Sequence, residues 1–120
     1  MRIVILFVLF TFVVLGSWAF VLAQSEHSDV VVFGEPGFPS ADSAAPSETQ
    51  LEALFPVASR IRVDQIPAAL SSQSSHVLVL PYGSAFPEEN WPAIKSFLDR
   101  GGNLLVLGGM PFTRAAYRDA

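Results

Sequence analysis

The chain has 120 residues, a formal net charge of −4, apolar side chains at 51% of positions and no cysteine. Without cysteine there is no disulfide staple, no thiolate nucleophile and no cysteine-based metal site. Seven Lys and Arg residues with no basic cluster exclude the positive face that nucleic acid requires. The two histidines, His27 and His76, lie far apart without ligand-like spacing, so neither a metal nor a cofactor is expected.

The first predicted element is the apolar run from Ile3 to Leu22. Arg2 precedes it, Val21 and Ala23 are small residues at its end, and the chain turns polar at Gln24-Ser25-Glu26. That pattern predicts an apolar helix over residues 1–23 acting as an export signal, with cleavage after Ala23. The run also approaches the roughly 20 residues needed to span a bilayer, and Trp18 suits an interface. An uncleaved membrane anchor is therefore the rival reading. Either way residues 24–120 are expected outside the cytoplasm, periplasmic or extracellular, touching membrane only through residues 1–23. Fewer than a hundred residues remain, at most one small domain, which must rely on its apolar core or belong to something larger.

Asp29-Val30-Val31-Val32-Phe33 is a continuous β-branched run closed by Gly34, the pattern of a strand buried on both faces of a parallel sheet. Residues 35–46 are rich in Pro, Gly and Ser and predict a loop. Ser47-Glu48-Thr49-Gln50 matches a capping box, and Leu51, Leu54 and Phe55 form the apolar stripe of a helix ended by Pro56. Residues 60–64 alternate polar and apolar, as an edge strand does. Pro67 starts a short helical turn through Leu70. Residues 76–80 form a second continuous apolar strand, and Tyr82-Gly83-Ser84-Ala85-Phe86 a loop. A helix is predicted from Trp91 or Pro92 to Arg100, capped by Asn90, with Trp91, Ile94, Phe97 and Leu98 on one face and Gly101 as its stop. Residues 103–107 form a third apolar strand, and residues 113–120 the start of a further helix.

Strands alternating with helices predict an α/β fold with a parallel sheet and helices on both faces. The alternating second strand belongs at an edge, which gives a flavodoxin-like order 2-1-3-4. The last strand then becomes an open apolar edge. From this we expect residues 24–120 to be the N-terminal part of an incomplete domain, whose partners are downstream domains of the same protein or other subunits.

The stretch Val77-Leu78-Val79-Leu80-Pro81-Tyr82-Gly83-Ser84, then a helix, then Gly101-Gly102-Asn103-Leu104-Leu105-Val106-Leu107-Gly108-Gly109, resembles the class I glutamine amidotransferase-like fold. The similar variants are exported domains attached to carbohydrate-active enzymes such as β-galactosidases. Active members of the family carry a cysteine on the turn after the strand that matches Leu104–Leu107. This chain has Gly108-Gly109-Met110-Pro111 there, and the thioether of Met110 cannot form a thiolate. The resemblance thus implies a non-catalytic domain of a secreted, sugar-processing protein.

Ligands of open parallel sheets bind beyond the carboxyl ends of the strands. The candidates placed there are Glu35, Tyr82, Ser84, Gly108 and Gly109. Ser84 lacks the G-x-S-x-G context of a nucleophile and reads as a turn serine. Glu35 with Glu88 or Glu89 has the residue types of a glycosidase carboxylate pair, but no spacing in the sequence sets their separation, and Glu88-Glu89 reads as acids of the first turn of a helix. Gly108-Gly109 reads as a turn, and Trp91 as core rather than a sugar platform. No catalytic residue is assigned. The leading expectation is an exported binding or assembly module. The alternatives are a hydrolase completed by residues beyond Ala120, and a membrane-anchored sensor or scaffold subunit.

Overall fold

In the computed structural model, which describes residues 28–117, the elements run β1 (Val30–Phe33), α1 (Glu48–Leu54), β2 (Ser59–Ile61), α2 (Ile66–Ser71), β3 (Val77–Leu80), β4 (Ala85–Pro87), α3 (Trp91–Asp99), β5 (Asn103–Val106) and β6 (Arg114–Ala116). Single 3-10 turns occupy Val63–Gln65 and Glu88–Asn90. The expected N-terminal signal or anchor lies outside the described residues. Among the described residues no helix is long and apolar enough to cross a membrane.

The protein is α/β. Four strands form a parallel sheet in the order β2-β1-β3-β5, with Val31 beside Ser59, Val31 beside Leu78, and Leu78 beside Leu104. This is the flavodoxin-like order that the apolar patterns predict. Successive strand side chains point to opposite faces, and the core divides accordingly. Val31, Phe33, Leu78 and Leu80 pack against Ile66 and Leu70 of α2 and Ile94 and Phe97 of α3. Val32 and Val79 pack on the other face against Leu51 of α1. Helices therefore cover both faces, which explains why β1 and β3 are apolar throughout.

Local signals set the helix ends. Ser47 accepts a hydrogen bond from the Gln50 N–H at 3.2 Å, and Gln50 Oε1 accepts one from the Ser47 N–H at 2.8 Å, which completes the capping box of α1. After α3, the Gly102 N–H donates to the Phe97 carbonyl and the Gly101 N–H to the Leu98 carbonyl, each at 3.0 Å, with Gly101 at φ +92. Those two bonds are a Schellman stop. The Arg100 guanidinium then reaches across to the Leu70 carbonyl at 2.8 Å, tying the end of α3 to α2.

Three local expectations are corrected. The strand expected over residues 60–64 is Ser59–Ile61 instead, because Gln65 Oε1 captures the Arg62 N–H at 2.9 Å and turns the chain into the 3-10 segment. Residues 85–87, expected as loop and turn, pair as β4 with β6, where a helix was expected. Asn90 does not cap α3. It is buried (5% exposed), and its Nδ2 donates to the Val63 carbonyl at 2.9 Å. The last strand, β5, occupies the sheet edge as the expected order requires, with Asn103 and Leu105 exposed on the face that carries α1.

Candidate functional site

Three loops meet beyond the carboxyl ends of β1, β3 and β5, and two aromatic trios hold them. Phe33, Phe38 and Tyr82 pack with ring centroids 4.9–5.3 Å apart. Phe86, Trp91 and Phe112 do so at 4.7–6.0 Å, which places Trp91 in an aromatic cluster. Edge-to-face contacts of this kind add to plain burial. Together they anchor the loop after β1 and the turn after β5.

Sheet order reverses between β1 and β3, the point where open α/β sheets form their ligand crevice. Here Tyr82 closes that crevice. Its hydroxyl accepts from the Glu35 N–H at 2.7 Å and donates to the Glu35 carbonyl at 3.0 Å. Burial of the phenol, followed by the nearby Glu35 and Glu48 carboxylates, raises its pKa above the ordinary value, and the bond to the Glu35 backbone opposes the rise. The Glu35 carboxylate is itself fixed, accepting from the Val63 N–H at 3.0 Å.

Ser84 is 1% exposed. Its hydroxyl donates to the Asp42 carboxylate and accepts from the Met110 N–H at 2.8 Å. The Ser84 N–H donates to the Ala41 carbonyl at 3.0 Å, and its carbonyl accepts from the Arg114 N–H at 3.2 Å. One buried serine thus ties the loop after β1, the turn after β5 and the start of β6. Gly108 has φ +77, and a Cβ there would strike the Ser43 side chain. A Cβ on Gly109 would strike the Ser84 backbone and hydroxyl. The two glycines let this turn close against the other loops. Met110 stands exposed on the same turn, which leads into β6.

Two clefts open on either side of Glu35. One, of about 380 Å³, is lined by Glu35, Tyr82, Arg60, Arg62, Gln65 and Glu48 among others. The second, of about 540 Å³, brings Glu35 together with Glu89, Phe38 and Tyr117. The Tyr117 phenol is held above its usual pKa by hydrogen bonding to, and the charge of, Glu88. Of the predicted residues, Glu35 and Tyr82 share a cleft, whereas Ser84, Gly108 and Gly109 form the loop junction beside it. No His/Cys/Asp/Glu group suited to hold a metal ion occurs among the described residues.

Sequence reasoning missed Arg60, Arg62 and Gln65. The available signal was Arg60 inside an expected strand of a sheet that carries helices on both faces. The fold and these clefts define an α/β domain with a flavodoxin-like parallel sheet. Comparison with protein-family models, curated proteins and solved structures finds no match to this chain.

Proposed function

We propose that the chain is an exported, non-catalytic α/β binding or assembly module, the N-terminal part of a larger carbohydrate-processing protein of the amidotransferase-like type. The observation that carries this reading is the open edge at β5. Leu105 is aligned with Val79 and Val32, yet it is 40% exposed because Leu51 of α1 covers only the other two. An exposed apolar edge strand is a template for a further strand. We assign that place to a strand from the downstream part of the same protein. The burial of Ser84 and the thioether at Met110 support a non-catalytic role. The resemblance of the 77–109 stretch to exported amidotransferase-like domains supports the carbohydrate context.

Light scattering on the full chain in mild detergent tests this. Self-association through the bare edge is expected, and Leu105→Lys should reduce it. A monomeric chain that melts in one cooperative transition would sink the reading. A second reading, a glycoside hydrolase, draws on the shared cleft of Glu35 and Glu89. Turnover of aryl glycosides that Glu89→Gln abolishes would favour it.

A further inference from the structure

Arg60 occupies an unusual position for a charged side chain. Its register places it beside Val32, on the sheet face that α1 covers. Its Nη2 is buried and has no hydrogen-bond partner among the described residues. A guanidinium stays charged in proteins and carries five N–H donors in a planar fork. Buried polar groups are normally paired, so this guanidinium, whose residue lines a cleft, carries hydrogen-bonding capacity that no described protein group meets.

The cleft in front of Arg60 has about 380 Å³, within the range of small-molecule sites. It lies beyond the carboxyl ends of β1 and β2, where open parallel sheets take their ligands. Arg60 and Arg62 supply positive charge, and Gln65, whose Oε1 is committed to the Arg62 N–H, has its Nε2 donors left to offer. The Glu35 and Glu48 carboxylates supply acceptors. Glu35 is steadied by the Val63 N–H, so its position does not depend on a ligand. A ligand that satisfies both sets has one anionic end and several hydroxyls. A planar carboxylate matches the guanidinium fork.

We propose that this cleft binds a small hydroxylated carboxylate, the chemistry of a sugar acid, with its carboxylate on Arg60 and its hydroxyls on Glu35 and Glu48. The proposal deepens the binding-module reading and is independent of assembly at β5.

Titration calorimetry on the full chain in mild detergent, with D-galacturonate, D-galactose and inorganic phosphate as probes, decides it. Galacturonate should bind at least tenfold more tightly than either of the others. Arg60→Gln should lower galacturonate affinity at least tenfold while Arg114→Gln, on β6 and outside the cleft, leaves it unchanged. If Arg60→Gln does not fold, Arg60→Lys carries the test. The lysine retains the charge but not the fork, and affinity should still fall several-fold. Leu105→Lys should keep full galacturonate affinity, so failure of assembly and failure of binding remain separate results. No galacturonate binding, equal binding of galactose or phosphate, or unchanged affinity in a folded Arg60 variant would overturn the proposal.

Discussion

The Tyr82 hydroxyl satisfies both backbone groups of Glu35, accepting from its N–H at 2.7 Å and donating to its carbonyl at 3.0 Å. A side chain at the end of β3 thereby does for the end of β1 what a further backbone ladder would do. It seals the crevice at the switch in strand order and fixes the wall between the two clefts. Tyr82→Phe keeps the ring contacts with Phe33 and Phe38 and removes both bonds. Each neutral bond contributes about 0.5–1.5 kcal/mol net, so a loss of about 1–3 kcal/mol in thermal or denaturant unfolding is expected.

The same residue makes stability depend on alkaline pH. Burial is the largest cause of its raised pKa. The native state therefore keeps the phenolic proton at pH values where the unfolded chain, with a tyrosine pKa of about 10, has begun to lose it. More protons bound in the native state means stability falls as pH rises. This contribution is complete below the unfolded pKa and is lost as pH climbs through the folded one. Melting curves across that range should show a shallower alkaline decline in Tyr82→Phe. A phenolate absorbance titration in which every tyrosine ionises at its ordinary pKa would contradict this.

Ser84 should matter for folding. Ser84→Ala leaves the Asp42 carboxylate and the Met110 N–H without their shared partner. Leaving such groups unsatisfied costs about 1–3 kcal/mol. Gly109→Ala should cost more, because its Cβ meets the backbone of Gly83 and Ser84, which cannot simply rotate away. Urea denaturation of the two variants measures the order. An Ser84→Ala protein of unchanged stability would remove the structural role given to this serine.

Asn90 bridges the 3-10 segment before α2 to the start of α3 through its bond to the Val63 carbonyl. Asn90→Ala should destabilise by about 1–3 kcal/mol, the cost of an unpaired buried carbonyl. Asn90→Ser, which caps a helix as well as asparagine does, should not rescue it, since the shorter side chain does not reach Val63. Recovery of wild-type stability in Asn90→Ser would show that capping is the dominant role.

The apolar runs at residues 30–33 and 77–80 declare their strands without outside help, because a strand covered on both faces must be apolar along its whole length, and the run at 104–106 declares β5 although one of its faces is open. The capping box at Ser47 and the stop at Gly101 are equally local: each bond spans only a few residues. Strand order followed from the weaker, alternating pattern of the β2 region. The pairing of β4 with β6 was not legible, since three-residue strands carry too little period and their partner is distant in sequence. Asn90 looked like a cap because its neighbours are helical, and its true partner comes from another element.

The candidate site divides in the same way. By itself the sequence determined which residues stand at the carboxyl ends of the strands: Glu35, Tyr82, Ser84, Gly108 and Gly109. Only the tertiary structure decided that Ser84 and the two glycines close a loop junction, that Tyr82 seals the crevice, and that Arg60 lies under α1 with an unpaired nitrogen. The reason is physical. Strand and helix periods are properties of neighbouring residues, whereas burial and hydrogen-bond satisfaction depend on which distant segments the fold brings to the same place.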